Sequence, residues 1–113
     1  MSLHAQGLRA WLWQRLTSIY IALFVIVAGV LYLLGGPQDY EQWRSLLAYP
    51  PVNIATALFV MAVLFHAGVG VRDILVDYIH SLILRFAILV ILLLMLLVLG
   101  IWSMWILISV VAV

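Results

Sequence analysis

Three stretches of this chain carry no charged residue and are each long enough to cross a lipid bilayer, and nothing else in the sequence constrains its fold so tightly. They are Leu16–Leu34 (LTSIYIALFVIVAGVLYLL), Val52–Val71, and the run that begins at Phe86 and stays uncharged to Val113. A hydrocarbon core of about 30 Å is crossed by about 20 helical residues. In lipid every backbone N–H and C=O must be satisfied within the chain, so a span of this length is an α-helix. The sequence therefore predicts an all-α integral membrane protein with three transmembrane helices, over about 16–34, 52–71 and 86–108, in a single domain covering 1–113.

Composition agrees. Of the residues, 69% are hydrophobic and 8% charged, against about 45–50% and about 25% in an average soluble domain. Too little polar surface remains to cover a water-soluble particle. The formal net charge is +1, and all five basic residues are arginines: Arg9, Arg15, Arg44, Arg72 and Arg85. They form no cluster that could neutralise a phosphate backbone, which removes nucleic acid as a partner. With no cysteine, the chain itself can hold neither a disulfide nor a thiolate-ligated zinc or iron–sulfur centre. The first apolar run is too long for a signal-peptide core and lacks a small-x-small cleavage site, so it reads as a span that stays.

The connectors carry the polar information. Gly35, Gly36 and Pro37 end the first helix, since glycine accepts left-handed backbone and proline cannot continue the hydrogen-bond ladder. The segment Asp39–Ala48 that follows reads as a short interfacial helix. Between the second and third spans, RDILVDYIHSLILR has neither proline nor glycine, so the second helix is expected to project beyond the membrane before the chain turns. Four arginines fall on the side of the N-terminus and this connector, and one, Arg44, on the other. The positive-inside bias then puts the N-terminus in the cytoplasm and the C-terminus outside. Trp11, Trp13, Trp43, Trp102 and Trp105 are expected near the two interfaces.

His66 stands about six residues, or about 9 Å, inside the cytoplasmic end of the second span. An imidazole facing lipid would have an unmet donor and acceptor, so it faces protein or a cofactor. Two readings follow: an interhelical hydrogen bond, to Thr17, Ser18 or a partner chain, or axial ligation of a haem iron. Gly70 lies four residues on, on the same face, and Gly68 on another. A flat surface of this kind admits a porphyrin or a closely packed helix equally well. This chain cannot complete two-histidine ligation of one haem. His80 is about 21 Å from His66 if the helix continues, and His4 is in the N-terminal segment, so a second ligand would come from another chain.

Asp77 and Tyr78 follow at 11 and 12 residues from His66. At about 100° per residue, a continuous helix returns Asp77 to within about 20° of the His66 face. A phenol at the membrane surface can donate to a quinone carbonyl, and a neighbouring carboxylate can order water or relay protons. The plainer reading is an interfacial tyrosine beside a solvated aspartate. Arg9 and Arg15 either anchor the first helix by snorkelling or pair with acidic groups such as haem propionates. No nucleophile triad, phosphate-binding loop or multi-ligand metal motif is present.

With three spans, WQRLTSIY at the start of the first and HAGVGVRDILVDY leaving the second, the chain resembles the hydrophobic membrane anchors of bacterial succinate dehydrogenase, respiratory complex II. The matching pattern is Arg-x-Thr-Ser/Ala followed by His-x3-Gly-x6-Asp-Tyr, and the likeness spans essentially the whole chain. It implies half of a heterodimeric helical anchor in the bacterial inner membrane, not catalytic by itself. A flavoprotein subunit of such a complex oxidises succinate, as in the tricarboxylic acid cycle. An iron–sulfur subunit passes the electrons on, and the two anchors hold both at the membrane.

Carried over by position, the resemblance makes His66 one axial ligand of haem b, the other coming from the companion membrane anchor. Tyr78 becomes the donor to a ubiquinone carbonyl and Asp77 the adjacent acid. Arg15 falls near the haem propionates, and Arg9 stands where some relatives have histidine. His80 occupies an often basic position whose role is open. The complex could further associate as a trimer of heterotetramers. Two other readings are the anchor of a fumarate reductase, or a non-redox helical scaffold or transporter subunit in which His66 merely packs.

Overall fold

The computed structural model describes the backbone of residues 3–111 and the side chains of 7–111. The outermost residues of the expected 1–113 domain, and the side chain of His4, lie outside the described residues. Four helices follow one another: α1 (Leu3–Leu33), α2 (Tyr40–Ala48), α3 (Pro50–Tyr78) and α4 (Leu82–Val111). α1, α3 and α4 are long and apolar enough to cross a membrane. At 29 to 31 residues, each runs about 44–46 Å and overshoots a hydrocarbon core of about 30 Å.

Local chemistry sets the breaks. After α1 the chain passes through Gly35 at φ +111°, a backbone state that costs an L-residue energy because of its Cβ. The Gly36 amide then donates back to the Tyr32 carbonyl at 2.9 Å. A Cβ on Gly36 would lie 2.6 Å from the Tyr32 Cα, so the turn requires glycine there too. Asp39 caps α2, its Oδ1 accepting from the Gln42 amide at 2.8 Å. α2 stops at Tyr49, which precedes proline and is extended, as the residue before proline prefers. Pro50 and Pro51 fill the first turn of α3, where an N–H has no helical partner to lose. Ile79 is extended and ends α3, and Ser81 opens α4, its hydroxyl accepting from the Leu84 amide at 3.3 Å.

α3 is the central helix. α1 packs along one side of it and α4 along another, and α2 lies across one end of α3 and α4. In the α1–α3 seam, Phe24 stacks on Phe59 at 4.2 Å between ring centroids and Trp13 meets Phe65 edge-on at 6.4 Å. Tyr20 donates its hydroxyl to the Ala55 carbonyl at 2.7 Å. In the α3–α4 seam two glycines allow close approach. A Cβ on Gly68 would be 3.0 Å from the Leu96 Cδ1, and one on Gly100 3.3 Å from the Leu64 Cδ1. Asn53 ties three helices, its Nδ2 donating to the carbonyls of Leu47 and Leu107, each at 2.9 Å.

The helices enclose almost no interior. Among the described residues only Leu75 and Leu107 are buried hydrophobics, and the accessible surface is 8684 Å². A compact soluble monomer of this mass would expose about 6,200 Å². The excess is apolar helix surface that lipid or other chains must cover, as expected for helices that are apolar all round.

Candidate functional site

His66 lies mid-seam between α3 and α1, partly buried. Its Nδ1 is 3.3 Å from the Thr17 Oγ1 and 3.4 Å from the Ser18 Oγ. Both hydroxyls belong to the LTS segment at the start of the first apolar run. One turn earlier, Gln14 donates its Nε2 to the His66 carbonyl at 3.4 Å. Gly70 shares this face, and a Cβ there would have only the Gln14 Nε2 within 4 Å, at 3.9 Å. The small Gly70 thus faces Gln14 of α1, whereas Gly68 serves the α4 contact. The His66 Nε2 makes no hydrogen bond among the described residues.

The two sequence readings of His66 are therefore compatible, because an imidazole has two nitrogens. Nδ1 makes the interhelical contact with Thr17 and Ser18, and Nε2 is left over. Among the described residues, no three His, Asp or Glu side chains gather in a metal-binding group. A metal held through His66 would take its further ligands from another chain or from a prosthetic group. A single imidazole with one nitrogen tied and the other without a partner fits one ligand position of a haem.

Asp77 and Tyr78 are the last two residues of α3, which runs unbroken from His66 to this point. The carboxylate thus comes within about 20° of the His66 face and about 17 Å along the axis, with the phenol one residue further. They form a second station at the helix end, separate from His66. Tyr78 is 78% exposed, and neither side chain has a hydrogen-bond partner among the described residues. The turn beneath them is held by Arg85 of α4. Its Nε and Nη2 donate to the Ile79 carbonyl at 3.1 and 2.7 Å, and Nη2 also reaches the Val76 carbonyl at 3.4 Å. A cation over the carboxyl end of a helix satisfies its last carbonyls and complements its dipole. His80 lies exposed in the turn after α3 and so does not continue the His66 face. Arg72 pairs with Asp73 at 3.1 Å on the exposed surface.

Arg15 is exposed on α1, with its guanidinium carbon 5.5 Å from the centroid of the Trp11 ring one turn back. Arg9 is exposed as well. Both lie at the end of the protein that carries Asp77 and Tyr78, because α1 and α3 run antiparallel. Arg15 is two residues, about 3 Å of rise, from Thr17, and Arg9 eight residues, about 12 Å.

Three residues matter here that the sequence pattern does not single out. Gln14 sits within WQRLTSIY, between residues whose chemistry is more conspicuous, and its Oε1 is buried and has no partner. Asn53 is an isolated polar residue near the start of a span, and Arg85 counts in the sequence only as a topological charge. Both instead join helices. For Asn53 and Gln14 the available signal is a carboxamide inside or at the edge of an apolar run, which must find a partner.

The chain matches the family described as succinate dehydrogenase/fumarate reductase transmembrane subunit over residues 1–101. It is 28% identical over 98 residues to the succinate dehydrogenase hydrophobic membrane anchor subunit of Coxiella burnetii (strain RSA 493 / Nine Mile phase I), covering 87% of this chain and 85% of that protein. It is also 35% identical over 74 residues to the succinate dehydrogenase 2 membrane subunit SdhC of Mycobacterium tuberculosis (strain ATCC 25618 / H37Rv). That match covers 64% of this chain and 54% of the mycobacterial protein, so it spans about half the relative's length. With three apolar helices long enough to cross a bilayer and a family match across nearly its whole length, this multi-pass membrane protein belongs to the succinate dehydrogenase/fumarate reductase transmembrane subunit family.

Proposed function

We propose that this chain is one of two membrane anchors of a succinate:ubiquinone oxidoreductase. In this reading it supplies one axial ligand to haem b and part of the ubiquinone-reduction site. The observation that carries the reading is the His66 imidazole. Within an apolar span, one nitrogen is tied to Thr17 and Ser18 and the other has no hydrogen-bond partner among the described residues. A haem bound there supplies a one-electron reservoir inside the membrane. The second axial ligand comes from the companion anchor. The exposed apolar faces of helices that bury almost nothing among themselves support such a partner.

At the end of α3, Tyr78 donates its phenolic hydrogen to a ubiquinone carbonyl. Asp77 stands beside it where water can reach, and carries protons toward the oxygens. Reduction to ubiquinol takes up two electrons and two protons, so a site at the membrane surface has the proton source it needs. The electrons arrive from succinate through the flavoprotein and iron–sulfur subunits, which dock at this end of the anchor. Arg15 and Arg9 occupy the same end and offer cations to haem propionates, Arg15 by leaving the Trp11 face. Four of the five arginines at this end make it the cytoplasmic side of a bacterial inner membrane, with the C-terminus periplasmic. The single anchor domain covers 1–113.

The family description covers fumarate reductases as well. A free imidazole nitrogen at the haem-ligand position favours the succinate-oxidising reading, since some fumarate reductase anchors carry no haem. A non-redox scaffold or transporter subunit would leave the His66 Nε2 without purpose, and family membership counts against it.

The test is an optical difference spectrum of the complex purified through a tag on this chain, air-oxidised against succinate-reduced. A b-type haem signal is expected, and it should be lost or shifted in His66→Ala while the chain still inserts. An unchanged haem spectrum in His66→Ala would overturn the assignment.

A further inference from the structure

The hydroxyls beside His66 have only lone pairs to offer it. Thr17 is within hydrogen-bond distance of two backbone carbonyls of its own helix, Trp13 at 2.9 Å and Gln14 at 3.0 Å. Ser18 lies 2.7 Å from the Gln14 carbonyl. A carbonyl cannot donate, so in each pair the hydroxyl gives its single proton to the backbone. What each oxygen turns toward His66, at 3.3 and 3.4 Å from Nδ1, is an acceptor. An unprotonated Nδ1 would set three lone-pair-bearing atoms against one another inside the membrane. The stable arrangement has the imidazole proton on Nδ1, shared between two acceptors, which leaves Nε2 as the nitrogen with the lone pair.

We propose that Thr17 and Ser18 are positioning residues that fix His66 as its Nδ1–H tautomer and aim a basic Nε2 at the haem iron. The proposal rests on the axial-ligand reading above and adds residues that act on the iron only through the ligand. Hydrogen bonds of this type fix a ligating imidazole's tautomer and ring orientation and raise its basicity. A more basic ligand stabilises the ferric state and so holds the reduction potential down. The two acceptors are partly redundant, since one proton serves both. Removing either one weakens the effect, and removing both abolishes it.

The geometry also explains why a Thr-Ser pair, common enough in membrane helices to carry no signal alone, sits at this level of α1. The same back-bonding to the preceding turn that makes these residues unobtrusive in a helix strips their hydroxyls of the proton they would otherwise offer His66. Gln14 supports the arrangement from one turn away. Its bond to the His66 carbonyl holds α1 and α3 in the register that brings the two hydroxyls opposite Nδ1.

The experiment is a redox titration of haem b, with haem stoichiometry and low-spin ferric EPR, in the intact tagged complex. It compares wild type, Thr17→Val/Ser18→Ala, Thr17→Val, Thr17→Ser and His66→Ala. The double variant is expected to raise the midpoint potential, alter the EPR g-values and weaken haem retention by about tenfold or more. Thr17→Val keeps the side-chain shape without the hydroxyl, and Thr17→Ser keeps the hydroxyl without the methyl. A purely packing role would therefore make Thr17→Val the milder change, whereas the tautomer role makes Thr17→Ser resemble wild type and Thr17→Val shift part of the way. This pair carries the test if the double variant does not assemble. Wild-type potential, spectrum and haem content in Thr17→Val and the double variant, with haem lost in His66→Ala, would overturn this proposal and leave the ligand reading standing. Haem untouched in His66→Ala would overturn both.

Discussion

Asn53 offers the sharpest test of how these helices hold together. Its carboxamide donates both protons across helices, to the Leu47 carbonyl at the end of α2 and the Leu107 carbonyl in α4, each at 2.9 Å. Asn53→Leu keeps the branched heavy-atom skeleton and removes both bonds. Interhelical hydrogen bonds in membrane proteins average about 0.6 kcal/mol by double-mutant cycles, so two amount to about 1.2 kcal/mol. That corresponds to about a sevenfold rise in the equilibrium for local opening of this end of the seam.

The chain has no native cysteine, so a single reporter at the buried Leu107 position reads that opening directly. In the intact detergent-solubilised complex carrying Leu107→Cys, maleimide labelling should run about sevenfold faster once Asn53→Leu is added. Thr56→Val is the control, because the Thr56 hydroxyl bonds its own helix at the Val52 carbonyl, at 2.8 Å. Opening α3 from α4 does not break that bond, and its labelling rate should stay within about twofold of the parent. If Asn53→Leu also stayed within that range, the three-helix tie would contribute nothing and the reasoning would fail.

Two further outcomes are expected. Tyr78→Phe should lower kcat/KM for ubiquinone by about tenfold, the value of one lost substrate hydrogen bond of about 1.4 kcal/mol, while succinate oxidation by an artificial dye is unchanged. Equal losses in both assays would count against a quinone role for the phenol. Gly36→Ala should cost about 1–3 kcal/mol through overpacking, because its Cβ would meet the Tyr32 backbone at 2.6 Å. It should reduce the amount of assembled complex in membranes, and wild-type levels would show that the turn can relax.

The sequence alone determined the class of this protein, because the free energy of an unsatisfied backbone in lipid leaves a charge-free run of this length one solution. It also located the end of α1 and the short helix that follows, whereas the turn at Ile79–Ser81 has no glycine or proline to mark it. Gly35, Gly36 and Pro37 act through backbone sterics that operate whatever the neighbouring helices do, while the structure places Pro50 and Pro51 in the first turn of α3 and makes Asp39, expected as the first residue of α2, its N-cap. The continuity of α3 from His66 to Tyr78 was legible in the lack of glycine and proline between Val71 and Ile79.

What the sequence left open is which face of each helix meets which neighbour. A soluble helix announces its packed face by a polar one opposite, but here lipid accepts every face and the apolar pattern carries no phase. Only the tertiary structure decided that α3 is central, that Asn53 reaches two other helices and that Arg85 folds back over the end of α3. Which nitrogen of His66 is engaged had the same origin. Residue type and depth showed that the imidazole needs a partner, but which nitrogen is occupied depends on the rotation and register of α1. Those follow from the stacking of Phe24 on Phe59 and the bonds of Tyr20 and Gln14, contacts between residues far apart in sequence that no local pattern encodes.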